Sequence, residues 1–175
     1  MIKSLMLVAA LATLPACPLL DVQVTVPEVC VTYKDVHVDG MPGGETMIEK
    51  MFTVDHLDQA KALADQGATV QFVHAQIRAT SGISSFDFVR QAKLTVASAD
   101  EASTLPAVEV YDCEDCATSG SVLDVDATSQ VDPNPYLASG SLLVTIDLAG
   151  QAPADAWTMD VDICMSGTID RTYSP

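Results

Sequence analysis

The chain has few basic residues and no long hydrophobic run. Eight Lys and Arg stand against 24 Asp and Glu, which gives a formal net charge of −16 over 175 residues. Because nucleic-acid phosphates are bound through clustered cationic side chains, this balance excludes a nucleic-acid partner. No apolar stretch reaches the roughly 20 residues that a membrane-spanning helix needs, so none is predicted.

The sequence also lacks the short motifs of common catalytic sites. It contains no G-x-S-x-G, no Walker loop and no dinucleotide-binding fingerprint. Its three histidines, His37, His56 and His74, are far apart and form no His-Glu-x-x-His pattern. The sequence therefore predicts no enzyme, no metal site and no cofactor.

Aromatic residues are scarce as well: four Phe, four Tyr and one Trp. This low number of aromatic residues argues against a carbohydrate-binding surface, because such surfaces bind sugars by stacking them on exposed aromatic rings. Trp157 shares its strand face with Met159, Val161 and Ile163, so we expect it in the core.

What the chain does have is an export signal at its start. Lys3 supplies a positive charge and residues 5–14 form an apolar run of the length found in secretory signals. The run ends in Leu14-Pro15-Ala16-Cys17. An ordinary signal peptidase requires a small residue three positions before the cut, and Leu14 does not meet that requirement for cleavage before Cys17.

These residues resemble the lipobox of bacterial lipoproteins. In that family a Leu stands three residues before a Cys, a small residue directly precedes the Cys, and the thiol accepts diacylglycerol; Leu14, Ala16 and Cys17 match. The resemblance covers only the first tenth of the chain. It implies that residues 1–16 are removed, that Cys17 is lipidated, and that the membrane is a partner through this lipid. Pro18, rather than Asp, follows Cys17, which by the family's sorting rule favours the outer membrane.

The five cysteines fit this reading, because an odd number is unusual in an exported protein. Lipidation of Cys17 leaves four that can pair. Cys30 and Cys164 both lie opposite the apolar faces of their strands, near the two ends of the domain, so a cross-strand disulfide is favoured for them. A local disulfide is then expected for Cys113 and Cys116, although four cysteines allow three pairings.

Two other uses of these cysteines are disfavoured. A redox-active C-x-x-C needs a lowered thiol pKa, whereas Asp112, Glu114 and Asp115 destabilise the thiolate. A structural zinc site usually takes two spaced cysteine pairs, and Cys30 and Cys164 do not form one. Export also favours disulfides.

The rest of the chain is dominated by strand patterns. A helix is expected from a cap at Asp55 to Gly67, and a bulge or a sheet-switching bend near Pro27. Alternation of apolar and polar residues predicts strands over 20–26, 29–33, 70–80, 86–97, 105–111, 122–125, 142–148 and 157–165, the last continuing or returning over 167–173. Seven to nine strands without β-α alternation indicate an antiparallel β-sandwich, immunoglobulin-like or jelly-roll-like, with a closed barrel as the alternative. At the level of fold alone, this part resembles immunoglobulin-like β-sandwich lipoproteins.

The predicted organisation is a signal peptide over 1–16, a lipidated tether over 17–22 and a single domain over 23–175. Loss of Lys3 takes the net charge of the exported part from −16 to −17. Such a surface is repelled by anionic headgroups, so we expect the domain to stand off the membrane. Its predicted role is structural, adhesive or assembly-accessory, with other envelope proteins as partners.

Two alternatives remain open from the sequence. One is a ligand- or calcium-binding envelope module that uses the loops around Cys113 to Asp132; the other is a small exported enzyme. No acidic stretch matches the calcium loop in which alternate acidic residues precede a Gly and a later Glu. The acidic candidates are Asp112, Glu114, Asp115, Asp124, Asp126, Asp132, Asp160 and Asp162.

Overall fold

The computed structural model describes residues 20–43, 45–55, 57–128 and 131–173. The predicted signal peptide, Cys17 and His56 lie outside the described residues. The elements are β1 Leu20–Val38, β2 Glu45–Val54, α1 Asp58–Asp65, β3 Thr69–Ser81, β4 Val89–Ser98, β5 Val108–Glu114, β6 Val122–Asp126, a short 3₁₀ helix Tyr136–Ser139, β7 Leu142–Gln151 and β8 Trp157–Tyr173. The first strand thus begins at Leu20, inside the stretch expected to be a tether.

The strands form two four-stranded antiparallel sheets, with the orders β1-β8-β3-β6 and β2-β7-β4-β5. The first strand pairs with the last, the second with the seventh, the third with the sixth and the fourth with the fifth. The chain is therefore one long antiparallel hairpin rolled into two layers, which is the jelly-roll topology. The predicted antiparallel β-sandwich is confirmed, and the strand order is that of its jelly-roll form.

One hydrophobic core fills the space between the sheets. Each strand supplies alternate residues to it, as the period of two requires. Trp157, Met159 and Val161 of β8 are at most 1% exposed, and the Trp157 ring lies edge-on to Phe86 and Phe88 at 5.8 and 5.9 Å. Trp157 is therefore a core residue, as predicted.

Bulges alter the register of β1 twice. Its pairing with β8 shifts between Val26 and Val29, at the predicted position, and again between Tyr33 and Val36, where Asp35 has a positive φ of 59°. Both segments remain paired to β8, so the first shift is a bulge and not a sheet-switching bend. Since β1 is an edge strand, Pro27 and these irregularities also protect its outer edge from pairing with another chain.

The helix begins later than the sequence predicted. α1 starts after Leu57 without a side-chain cap, and Asp55 instead accepts a hydrogen bond from Ser141 Oγ at 2.7 Å. Its end is as expected: Gly67 has φ +79°, and the Ala68 amide donates to the Leu63 carbonyl at 3.0 Å, as in a Schellman motif. Within the described residues, no helix is long and apolar enough to cross a membrane.

The two ends of the sandwich differ in what they carry. The terminus end contains the start of β1, the end of β8, α1 and the loop over 99–107. The far end contains the four loops over 39–43, 82–88, 115–121 and 152–156. Both sheets run between these ends, so residues at one end are separated from those at the other by the length of the strands.

Candidate functional site

Three neighbouring strands bring Cys30, Cys164 and His74 into one row on the outer face of the first sheet. Cys30 of β1 is the register partner of Cys164 of β8, and Cys164 is in turn the partner of His74 of β3. The next strand, β6, places Asp126 opposite His74. The row therefore crosses the whole sheet.

Cys30 and Cys164 are joined by a disulfide, with the sulfurs 2.08 Å apart and a sequence separation of 134 residues. This is the pairing that the periodicity favoured. It ties the first strand to the last, so that the edge strand of the sheet is covalently held.

Glu28 and His74 complete a cluster around these sulfurs. Cys30 Sγ lies 3.3 Å from Glu28 Oε1, and His74 Nε2 lies 3.6 Å from the same oxygen. Together with Cys164, these residues place four ligand-type atoms within 4.8 Å of one another. Among the described residues, this is the one group of three or more His, Cys, Asp or Glu side chains with that spacing.

The inner side of the cluster is rigidly packed. Cys164 is 1% exposed, and its backbone carbonyl accepts a hydrogen bond from Tyr111 Oη at 3.2 Å. The β3–β8 register skips Val73 beside this position, so the tyrosine of the opposite sheet satisfies a carbonyl where the ladder is irregular. Burial, with a smaller contribution from the charge of Glu28, raises the pKa of Tyr111 well above its usual value. The phenol is therefore a neutral donor.

The outer side of the cluster is open to solvent. A cleft of about 370 Å³ runs along the edge of β1, lined by Val29, Cys30, Val31 and Thr32 and by the start of α1. Of the cluster residues, Cys30 lines this cleft; Glu28 and Cys30 are exposed and His74 is half-buried.

The structure does not contain the predicted Cys113–Cys116 disulfide, and both residues are free thiols. Cys113 is held in the β4–β5 ladder opposite Ala92, while Asp115 turns the chain with φ +53°. Cys116 Sγ donates a hydrogen bond to the Cys113 carbonyl at 3.4 Å instead of bonding to the other sulfur. Burial, with the Cys113 thiol as a second cause, raises the pKa of Cys116 to about 12, which suppresses thiolate chemistry.

The predicted acidic candidates do not gather at one place. Asp162 accepts a hydrogen bond from Thr32 and lies 3.3 Å from Arg78 Nη2, and Asp124 accepts one from Gln76 at 2.8 Å. These carboxylates occupy the polar outer face of the sheet, as the period of two predicted. Asp160 accepts a hydrogen bond from the Asp35 amide at 3.0 Å, and Asp112 lies 3.8 Å from Lys93 Nζ.

The loop region from Cys113 to Asp132, a candidate for ligand or calcium binding, is divided between the two ends of the sandwich. Cys113, Glu114 and Asp115 are at the far end, while Asp132 caps the turn before Tyr136 at the terminus end by accepting from the Asn134 amide at 3.0 Å. β6 lies between them. This region therefore does not form a single binding surface.

Sequence reasoning missed Glu28 and His74 as neighbours of the cysteines. Glu28 stands two residues before Cys30, the spacing that puts two strand residues on one face. For His74 the sequence signal is a shift in the alternation of β3. The core-facing residues are Val70 and Phe72 before His74, and Ala75 and Ile77 after it, so the spacing changes once from two residues to three. That change marks the bulge, but which strand lies beside His74 depends on the sheet order.

No protein-family model and no curated protein matches the chain. Among solved structures, it is similar to a BFDV capsid protein in a decameric crystal form, with 13% identity, 84% of this chain and 99% of that chain covered, and a TM-score of 0.41. A 60-mer of the BFDV capsid protein gives 10% identity, 90% and 96% coverage and a TM-score of 0.36. Desmodium yellow mottle tymovirus gives 9% identity, 91% and 94% coverage and a TM-score of 0.32. At these TM-scores the jelly-roll assignment depends on the strand order alone.

Proposed function

We propose that the chain is an exported bacterial lipoprotein whose jelly-roll domain is tethered to the outer membrane and has a non-catalytic structural, adhesive or assembly-accessory role. The observation that carries the proposal is the run Leu14-Pro15-Ala16-Cys17 directly ahead of the first strand. The Cys30–Cys164 disulfide supports it, because such bonds persist in exported proteins and are rare in the cytosol.

The position of Cys17 would fix the orientation of the domain. Two residues, Pro18 and Leu19, stand between Cys17 and Leu20, where β1 begins, and the three extended steps from Cys17 to Leu20 span at most about 11 Å. The terminus end of the sandwich would therefore face the membrane closely. The far end would stand away by the length of β1, whose 19 residues span roughly 60 Å at the usual rise per residue.

The loops of the far end offer an acidic surface to a partner. Each of its four loops carries one exposed aspartate and none carries Lys or Arg; the four are Asp39, Asp87, Asp115 and Asp155. Charge complementarity favours a basic surface on another envelope protein and would steer its approach. The proposed adhesive or assembly role therefore uses the loops that point away from the membrane.

Membrane fractionation of cells that express the wild type, Cys17→Ser or Cys113→Ser tests the anchor. We expect the wild type and the Cys113→Ser control in the membrane pellet after a high-salt wash, with release by detergent, because acyl chains hold the protein through buried methylenes and not through charge. Cys17→Ser should be recovered in the soluble fraction or as an unprocessed precursor. Equal fractionation of Cys17→Ser and wild type would overturn the anchor.

Cross-linking in intact cells tests the far end. A variant with Asn at the four far-end aspartates should lose salt-sensitive cross-links to envelope proteins. The control carries amide substitutions at four exposed acidic residues away from the far-end loops, Glu49, Asp58, Glu101 and Asp126. If both variants keep or lose the same cross-links, the far end is not the contact surface.

A further inference from the structure

The cluster around Cys30 has the composition of a zinc site. It offers two sulfurs, one imidazole nitrogen and one carboxylate oxygen, from Cys30, Cys164, His74 and Glu28. Thiolate, imidazole and carboxylate are the groups that bind zinc in proteins, and a mixed set of four with sulfur is typical of tetrahedral coordination. The proposed anchoring role requires no such site.

Two of the distances between these atoms fit a tetrahedral ion, and all four atoms lie within 4.8 Å of one another. With Zn–S of about 2.3 Å and Zn–N or Zn–O of about 2.0 to 2.2 Å, neighbouring ligand atoms lie roughly 3.3 to 3.8 Å apart. Glu28 Oε1 is 3.3 Å from Cys30 Sγ and 3.6 Å from His74 Nε2. The two sulfurs are joined by a covalent bond at 2.08 Å and cannot hold an ion together in this state.

Breaking the disulfide removes that obstacle without moving the backbone. Cys30, Cys164 and His74 are fixed by consecutive ladder positions on three strands, and the Tyr111 hydroxyl holds the carbonyl of Cys164 from below. Rotation about the Cα–Cβ bonds then lets the sulfurs separate to the roughly 3.8 Å that a shared zinc ion needs. Glu28 and Cys30 are exposed and His74 is half-buried, so an ion can reach the cluster from the outer face of the sheet.

From this geometry we propose that Glu28, Cys30, His74 and Cys164 bind one zinc-class divalent ion when the two cysteines are reduced, and that the disulfide and the ion exclude each other. Four protein ligands leave no open position, so the site is structural or redox-sensing and not catalytic.

The exchange between the two states balances as follows. A dithiol gives two electrons and two protons to the disulfide and itself becomes a disulfide, or a phosphine gives two electrons and takes the oxygen of a water molecule, whose two protons yield the thiols of Cys30 and Cys164. Binding of the ion releases those two protons as the thiolates form bonds to the metal. In reverse, a disulfide or azo oxidant takes two electrons from the thiolates and two protons from water; the S–S bond forms and the ion leaves.

Cobalt and zinc binding to the full chain tests the proposal. The chain carries Cys17→Ser, Cys113→Ser and Cys116→Ser, so that Cys30 and Cys164 are the only thiols and anchoring plays no part. It is reduced with a phosphine, freed of reductant without air and titrated with Co²⁺. We expect thiolate-to-cobalt charge-transfer bands and the visible bands of tetrahedral Co²⁺ at one ion per chain, displaced by Zn²⁺. The oxidised protein should show neither.

Variants in the same background test the two other ligands. His74→Ala and Glu28→Gln should each weaken Zn²⁺ binding at least about tenfold in competition with a chromophoric chelator, since each removes one of the four bonds. The matched controls are His37→Ala, an exposed histidine next to Asp39, and Glu49→Gln, an exposed glutamate of β2. Both should bind zinc like the parent.

The release experiment follows the ion directly. Diamide added to the zinc-loaded protein should form the Cys30–Cys164 bond and deliver the zinc to the chelator, one ion per disulfide. Circular dichroism and Trp157 fluorescence report whether the reduced chain is folded.

Four results would each overturn the proposal: no charge-transfer band in the reduced chain, equal metal binding in the oxidised chain, zinc affinity unaffected by His74→Ala and Glu28→Gln, or a reduced chain that is unfolded with and without zinc. None of them depends on whether Cys17 carries a lipid, so failure here and failure of the anchoring proposal are separate observations.

Discussion

Loss of the Cys30–Cys164 bond should destabilise the domain strongly. The bond closes a loop with a sequence separation of 134 residues. In the chain-entropy model a loop of this length stabilises the folded state by about 5 kcal/mol, because the cross-link restricts the unfolded chain. For a domain of this size that free energy corresponds to a fall in Tm of roughly 10 to 20 °C.

The test compares Cys30→Ala/Cys164→Ala with the wild type in urea, followed by Trp157 fluorescence with a chelator present to exclude metal. The matched control is Cys113→Ala/Cys116→Ala, which removes two partly buried thiols that form no bond. We expect the first variant to lose about 5 kcal/mol of unfolding free energy and the control about 1 kcal/mol or less. A difference between the two variants of under about 1 kcal/mol would mean that no Cys30–Cys164 bond constrains the unfolded chain.

Two further substitutions test the packing beside the site and at the far end. Tyr111→Phe leaves the Cys164 carbonyl without its hydrogen bond and should cost about 1 to 3 kcal/mol in urea unfolding. The pKa of Tyr111 is raised above 10.0 in the folded state, so the wild type should lose unfolding free energy as the pH rises above 10, and Tyr111→Phe should lose less. Identical alkaline stability profiles for the two proteins would contradict a buried, neutral Tyr111 phenol. Gly82→Ala should destabilise more than Gly140→Ala: both positions have φ near +80°, but a Cβ at Gly82 lies 2.6 Å from the Trp157 Cβ and one at Gly140 meets nothing within 4 Å. Equal melting temperatures for the two alanine variants would show that this contact is not tight.

The strands with a clear period of two were predictable from the sequence, and β8 is the best case. Its apolar residues from Trp157 to Met165 all face the core, and the run continues to Tyr173 without a return. β2 was missed because its alternation is broken: Met47 and Met51, which are 63% and 60% exposed, lie on its outer face, and Lys50 occupies an inward position between Ile48 and Phe52. A strand whose two faces both mix apolar and charged residues gives no clear period of two.

The sheet order could not be predicted in the same way. A period of two indicates which residues share a face, whereas the neighbour of each strand is set by packing over the whole chain. In the jelly roll β1 and β8 pair across nearly the full sequence. The Cys30–Cys164 pairing was nevertheless predicted correctly, because that prediction needed only the face of each strand that carries the cysteine and the position of each strand near one end of the domain. The neighbourhood of His74 required the order β1-β8-β3, and no local pattern contains it.

The start of α1 was predicted wrongly for a different reason. Asp55 is a good N-cap residue type and stands before an amphipathic stretch, which made it the expected start. In the fold its carboxylate is used by Ser141 of the 3₁₀ turn region, and the helix begins after Leu57 without a side-chain cap. A tertiary hydrogen bond replaced the local one that the sequence favoured.

The intact mass of the protein recovered from membranes is the most direct test of the lipid anchor at Cys17. The measurement is made without reductant, before and after thiol alkylation. We expect a chain that begins at Cys17 and carries a lipid-sized increment absent from Cys17→Ser, with Cys30 and Cys164 protected from alkylation and Cys113 and Cys116 modified after unfolding. A chain that begins elsewhere, or that begins at Cys17 without lipid, would contradict the anchored lipoprotein.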